Sequence, residues 1–289
     1  MSFGVIFALL AAIFWGTYVV STVKLKDSPF LIVSIIGTTV FIISLIVYSI
    51  TSPSITTSII FFGFVAGVLW SLAQIYYLVG LRKTKFGRYA SICSAFQILL
   101  NFFIGIIIFN ELLSAGLANL ITAFIGILFL IIGVFLVSYL REAGKSELSK
   151  YGLLFASLAA ILWSLQFVSF RLSNANPLSI MPSMGLGMAI TAWVYTLLKD
   201  RKVSMTLSSL KMSSLSGVIW ITGNYLGFFA ISDIGLARGF SITQISALVA
   251  VFWSIIYFRE FREKKSISML ILSVIVIILG AALMAFAKT

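Results

Sequence analysis

The chain has no histidine, a single cysteine, four prolines and only eight carboxylates among 289 residues. Each shortage closes a route. Histidine is the side chain whose ordinary pKa lies closest to neutrality and the commonest metal ligand, so its absence removes any Ser/His/Asp set and any Cys/His zinc site. Cys93 lies inside an apolar run and has no partner for an intrachain disulfide. No carboxylate pair is placed for hydrolysis. Neither a G-x-x-x-x-G-K-[S/T] loop nor a dinucleotide fingerprint occurs, so the chain brings no nucleotide chemistry of its own. The sequence reads as a non-enzyme, with no cofactor and no metal.

Charge of either sign is scarce. Charged residues make up 10% of the chain and hydrophobic residues 61%, with mean hydropathy +1.16. Soluble domains carry about 25% charged residues, so this composition belongs in lipid. The net charge of +12 is not a nucleic-acid footprint, because Lys and Arg sit in short loops between apolar runs and not on one soluble face.

What remains is long hydrophobic runs. Stretches long enough to cross a bilayer, about 20 residues each, read at 3–23, 29–50, 57–80, 88–109, 115–140, 151–171, 178–198, 212–232, 236–258 and 266–287. The first begins at Phe3 with no Lys or Arg before it, so it reads as a retained membrane helix and not a secretory signal. The expected fold class is an all-α membrane protein with ten transmembrane helices.

The chain repeats itself. Gly67 to Glu111 aligns with Gly217 to Glu260: Trp70 meets Trp220, Gln74 meets Asn224, Arg88 meets Arg238, and Phe109-Asn110-Glu111 meets Phe258-Arg259-Glu260. Trp15 in span 1 and Trp163 in span 6 extend the match, each followed about two turns later by a base, Lys24 or Arg171. The expected organisation is a first five-helix repeat over 1–140, a cytoplasmic linker over 141–150 and a second repeat over 151–289. Five is odd, so the second repeat enters the membrane from the opposite side, the inverted topology typical of alternating-access carriers with a midplane site.

Loop charge sets the orientation. The loops after spans 1, 3, 5, 7 and 9 hold most of the bases, among them Lys24, Arg82, Arg141, Lys199 and Arg262, while the other side holds only Arg171, Arg238 and Lys288. That places the odd loops in the cytoplasm and both termini outside.

Polar side chains within the spans are expensive in lipid and face partners or a cavity. Trp70, Gln74 and Tyr77 share one helical face; Trp220 and Asn224 repeat it, with Gly227 in place of the tyrosine. Trp15, Tyr18 and Thr22, Ser94, Gln97 and Asn101, Trp163 and Gln166, and Thr243 and Gln244 add further polar positions. Amides both donate and accept hydrogen bonds, and indoles pack on apolar ring faces while their N–H finds an acceptor. The substrate-binding set is therefore expected to be Trp15, Trp70, Gln74, Gln97, Trp163, Trp220, Asn224 and Gln244. Glu111 and Glu260 stand at span ends and read as caps, salt-bridge partners or gates, with Arg88 and Arg238 as orienting or gating charges. No carboxylate lies deep in a span. Gly63-x-x-x-Gly67 and Gly185-x-Gly187 mark close helix approach.

Ten helices in two inverted halves, Phe14-Trp15-Gly16, and the phenylalanine-x-glutamate endings of spans 4 and 9 resemble the drug/metabolite transporter (EamA-like) superfamily. Within it, Gly67-Val68-Leu69-Trp70 with Gln74, Gly217-Val218-Ile219-Trp220 with Asn224, Phe240-Ser241-Ile242-Thr243-Gln244 and Gly185-Leu186-Gly187-Met188 are similar to the bacterial glucose/ribose uptake porters. Two features depart from the pattern: Phe96 precedes Gln97 where a methionine is usual, and Asn110 precedes Glu111 where a glycine is usual. Span 1 also lacks the carboxylate of small multidrug antiporters. The resemblance implies a secondary transporter importing a small sugar, with a proton gradient as the usual source for uphill import. An exporter of amino acids or other metabolites on the same fold is the alternative; a cation in the cavity would favour it, and a neutral cavity favours a sugar.

Overall fold

The computed structural model describes residues 2–82, 86–112, 116–138, 150–200, 203–259 and 264–287. Among these residues the regular structure is all helix: α1 (Phe3–Thr17), α2 (Pro29–Thr51), α3 (Thr57–Leu81), α4 (Phe86–Ile107), α5 (Leu117–Ser138), α6 (Lys150–Ser173), α7 (Pro177–Lys199), α8 (Leu207–Ile234), α9 (Leu236–Thr243), α10 (Ser246–Ile256) and α11 (Lys264–Phe286). Seven of the resulting segments are long and apolar enough to cross a bilayer, with α9 and α10 counted as one, and three more are shorter apolar helices. Helix is what lipid demands, since it satisfies every backbone group within the segment. The expected linker at 141–150 falls outside the described residues except for the backbone of Lys150.

Local chemistry starts the helices where the loops end. Ser28 caps α2 with Pro29 in its first turn, and Asn176 caps α7 with Pro177 in the same place. Thr56 caps α3 through Ile59 N–H and Thr206 caps α8 through Ser209 N–H. Asn110 and Arg259, matched in the sequence repeat, both take positive φ, 52° and 54°.

Two expected spans are not continuous. Span 1, expected over 3–23, is α-helical only to Thr17; residues 18–24 run on as turns in which the Val20 and Thr22 amides bond three residues back, to Thr17 and Val19, and the Val23 amide bonds four back, to Val19. Span 9, expected over 236–258, is broken between Thr243 and Ser246, where Gln244 and Ile245 N–H also bond three residues back. Thr243 Oγ1 donates to the Phe240 carbonyl at 2.6 Å, and such side-chain bonds compete with the helical ladder. Span 8 starts earlier than expected, at Leu207, because the Thr206 cap carries helix into the polar stretch before Met212.

The helices pack α1 on α8 and α6 on α3, α2 on α7, and α5 on α11, with α4 against α5, α6, α9 and α10. Small residues set the crossings. A Cβ on Gly67 would lie 2.0 Å from the Met184 carbonyl oxygen, and one on Gly187 would lie 2.3 Å from that of Phe64. The α3 and α7 backbones therefore touch, and Ser71 Oγ ties them by donating to the Met188 carbonyl at 2.8 Å. The outer surface is apolar, with Ile42, Ile46, Ile60, Phe61, Leu128 and Ile132 exposed, while Ser34, Ser71, Gln74, Asn101 and Asn224 are buried. This is the arrangement of a multi-pass membrane protein.

Polar clusters close the two ends. At the base-rich end the Arg82 guanidinium donates to the Asp27 carbonyl, Ser28 Oγ donates to Asp200 at 2.9 Å, and Lys24 lies 4.0 Å from the Tyr257 ring centre. Burial draws the Arg82 pKa down and Asp27 and Asp200 oppose the shift. At the opposite end Gly4 N–H donates to Asp233 at 2.7 Å.

Candidate functional site

The central cavity lies where α1, α3, α4, α6, α8 and the α9–α10 break converge. Trp15, Trp70, Gln97, Trp163, Trp220, Asn224 and Gln244 all line it, together with Tyr18, Tyr77, Ser94 and Gln166. Trp70 and Trp220 form one wall, with ring centres 4.7 Å apart. Trp163 rests on Tyr77, and Tyr77 on Tyr89, at 5.2 Å in each case.

Trp15 lies flat across α8. A Cβ on Gly227 would stand 2.6 Å from its Cζ2 and Cη2, and one on Gly223 would stand 2.8 Å from its Cδ1. This explains why glycine occupies the position matched to Tyr77 in the sequence repeat: in α3 the tyrosine supports Trp163, whereas in α8 Trp15 takes the tyrosine's space.

Gln74, expected to bind substrate, is buried but does not line the cavity. Tyr18 stands in front of it, and the Tyr18 hydroxyl donates to Gln74 Oε1 at 2.8 Å. Shared helical phase with Trp70 could not reveal this, because the intervening ring comes from the turn after α1. Asn224 reaches the cavity wall, but among the described residues its Nδ2 meets only the thioether sulfurs of Met181 at 3.3 Å and Met184 at 3.9 Å, which are weak acceptors.

The cavity is largely apolar, set with amides, hydroxyls and indoles, and uncharged: no Asp, Glu, Lys or Arg is among its described lining residues. Its volume is about 100 Å³, below the roughly 300–1,000 Å³ of ordinary small-molecule pockets. Buried Trp15 Nε1, Trp163 Nε1 and Gln244 Oε1 have no hydrogen-bond partner among the described residues. Leaving such a group unpaired costs about 1–3 kcal/mol.

Four phenylalanines close the cavity toward the Glu111 end. Phe167 packs on Phe240 at 4.9 Å, and Phe170 stacks on Phe228 at 3.9 Å. Phe170 precedes Arg171, whose guanidinium donates to Glu111 Oε1 at 3.1 Å. The Glu111 carboxylate also accepts from Leu236 N–H at 2.8 Å and Ala237 N–H at 2.7 Å, so it caps α9 at the positive end of the helix dipole. Arg238, in the first turn of α9, bonds the Met284 and Ala285 carbonyls through Nε and Nη2 at 3.1 and 2.9 Å. Both residues are committed at this end and neither lines the cavity. Arg88 lies in α4 with its side chain outside the described residues, as does all of Glu260. Phe167 lines the cavity with no signal in the sequence, because a phenylalanine within an apolar span is ordinary; Phe86 lies before the span expected over 88–109, and Phe240 stands out only as part of the resemblance motif.

An all-helical membrane protein with a neutral, amide- and indole-lined cavity between its helices is the class that fold and site define. Residues 6–287 match the family model described as Sugar transport protein, and the chain belongs to that family. It is 26% identical to the glucose uptake protein GlcU of Bacillus subtilis over 98% of both chains. It is 24% identical to a putative sugar uptake protein of Listeria monocytogenes over 99% of both, and 26% identical to the probable glucose uptake protein GlcU of Priestia megaterium over 98% of both. A crystal structure of a protein 14% identical shares the fold, with a TM-score of 0.70 over 98% of this chain and 97% of that one.

Proposed function

We propose that this chain is a secondary transporter that imports a small neutral sugar of the glucose or ribose type by alternating access. The observation that carries the reading is the cavity wall. It offers indole N–H groups, amides and hydroxyls, several of them unpartnered, and no charge among its described residues. A solute bearing many hydroxyls and no ionised group is the complement of such a wall. The same neutrality weighs against the amino-acid exporter, whose substrate carboxylate would want a cation. The names of the relatives, glucose uptake and sugar uptake proteins, point the same way.

The transport cycle rests on two inverted halves, 1–140 and 151–289, of the drug/metabolite transporter type. Several features support this organisation. The caps recur at Ser28-Pro29 and Asn176-Pro177 and at Thr56 and Thr206. The packing of α1 on α8 mirrors that of α6 on α3, while α2 meets α7 and α5 meets α11. The base-rich end is assigned to the cytoplasm and both termini to the outside. The phenylalanine floor and the Glu111 cluster then close the outer face. Widening the cavity toward the base-rich end, where Phe86 begins α4, would admit or release the solute.

Glu111 is engaged as a cap and ion-pair partner, which supports a gating part over a midplane proton site. The deciding experiment is uptake by purified protein in liposomes, offered radiolabelled glucose, ribose and a panel of amino acids with and without an inward proton gradient. Saturable sugar uptake is expected. Accumulation driven by the gradient would make the carrier proton-coupled, equilibration indifferent to it would make it a facilitator, and amino-acid movement without sugar uptake would overturn the sugar assignment.

A further inference from the structure

The sequence repeat sets Tyr18 and Gln166 at equivalent points, three residues after Trp15 and Trp163, just as it matches Gln74 with Asn224. In the first copy the two polar side chains are closed on each other. The Tyr18 hydroxyl donates to Gln74 Oε1 at 2.8 Å, and Gln74 is kept off the cavity. In the second copy the matched residues are not joined. Gln166 of α6 and Asn224 of α8 both line the cavity. Among the described residues the Gln166 amide has no hydrogen-bond partner, and the Asn224 amide has only the Met181 and Met184 sulfurs. Each residue is 1% exposed. The side-chain atoms sealed away without a partner include Gln74 Nε2 and Gln244 Oε1 but no atom of Gln166 or Asn224, so the surface these two keep is at their amides, on the cavity.

An amide within a membrane helix costs free energy unless something bonds it. Tyr18 serves Gln74, and no described side chain serves Gln166. From this we infer that Gln166 is a specificity-determining residue that, with Asn224, reads hydroxyls of the transported solute, and that Gln74 is its closed counterpart and takes no part in reading. The assignment rests on the sugar reading above and deepens it by naming the residues and the side of the cavity from which the hydroxyls are read. A hydroxyl suits the place because it both donates and accepts, as a carboxamide does, so one hydroxyl engages whichever amide atom faces it.

Two measurements on the full chain test this. The first is competition against radiolabelled glucose uptake in liposomes by each monodeoxyglucose. In the wild type a sugar lacking a hydroxyl that is read should compete about five- to tenfold less well than glucose, the size of one lost hydrogen bond. In Gln166→Leu that penalty should vanish at the position Gln166 serves, because glucose itself no longer gains the bond. Asn224→Leu should do the same at its own position. Gln74→Leu should lower uptake and keep the wild-type pattern of penalties. For a variant whose uptake is too low to follow, the same series is read as the rise in melting temperature that each sugar induces. The second measurement is thermal unfolding in detergent without sugar. Gln166→Leu breaks no bond within the protein, so it should melt at or above the wild-type temperature, whereas Gln74→Leu loses the Tyr18 bond and should melt lower. Gln166→Leu and Asn224→Leu proteins that keep every penalty would overturn the assignment and leave sugar transport in place. So would a Gln166→Leu protein that melts well below the wild type or fails to insert, since the amide would then hold the fold. Loss of the pattern in Gln74→Leu would equally overturn it, by moving the reading to the first copy. Absence of competition by any monosaccharide would overturn the sugar reading and the assignment together.

Discussion

Trp70 of α3 and Trp220 of α8 meet ring against ring, with centres 4.7 Å apart and planes inclined by 56°. They are equivalent residues of the two sequence repeats, and each is buried. Residues that match in sequence here also touch in space, across the contact of α3 with α8. A direct aromatic pair contributes about 0.5–1.5 kcal/mol beyond its buried area. Trp70→Leu and Trp220→Leu should each lower the melting temperature in detergent, and the double variant should lose less than the sum of the two. Strict additivity would mean that the rings pack independently.

Trp15 requires a bare helix beneath it. Gly227→Leu would put side-chain atoms where the indole lies, and the overlap would cost about 1–3 kcal/mol. Displacing the ring should cut uptake by roughly tenfold or more while the chain still inserts. A Gly227→Leu protein with normal uptake would show that the ring's seat is unimportant.

Glu111 holds the start of α9 and the end of α6 at once. Glu111→Ala should destabilise by about 1.5–3 kcal/mol, the range for bonds to a charged acceptor. Arg171→Ala should cost about 1 kcal/mol or less, because the arginine is 29% exposed. Thermal unfolding of the two variants gives the order; a larger loss for Arg171→Ala would place the weight on the ion pair and not on the cap.

Gln74 is expected to act through Tyr18. Gln74→Leu and Tyr18→Phe should each reduce uptake, and the double variant should be little worse than either alone, as for two residues sharing one hydrogen bond. Multiplying defects would show that Gln74 reaches the solute by another route.

Much of the architecture was legible because lipid imposes one rule on every segment: length and hydropathy located the spans, and the repeat of Trp70-x-x-x-Gln74 in Trp220-x-x-x-Asn224 pointed to the cavity. The broken spans were not legible. Hydropathy averages over 18–20 residues, so it cannot see that Thr243 Oγ1 takes a backbone carbonyl or that α1 tightens after Thr17. That Gln74 stands behind Tyr18 was hidden for a related reason. Its helical phase is that of Trp70, but whether a side chain meets a cavity or a neighbour depends on what the opposite helix sends in. Here that is Tyr18.

The meeting of Trp70 and Trp220 has an optical consequence. Two indoles this close, with planes inclined and not parallel, couple their electronic transitions, and the coupling falls steeply with distance. Near-ultraviolet circular dichroism should therefore carry a signed couplet that either single tryptophan replacement removes. Any movement that parts α3 from α8 would weaken the same signal, so the protein holds an unlabelled spectroscopic gauge of how far those two helices stand apart.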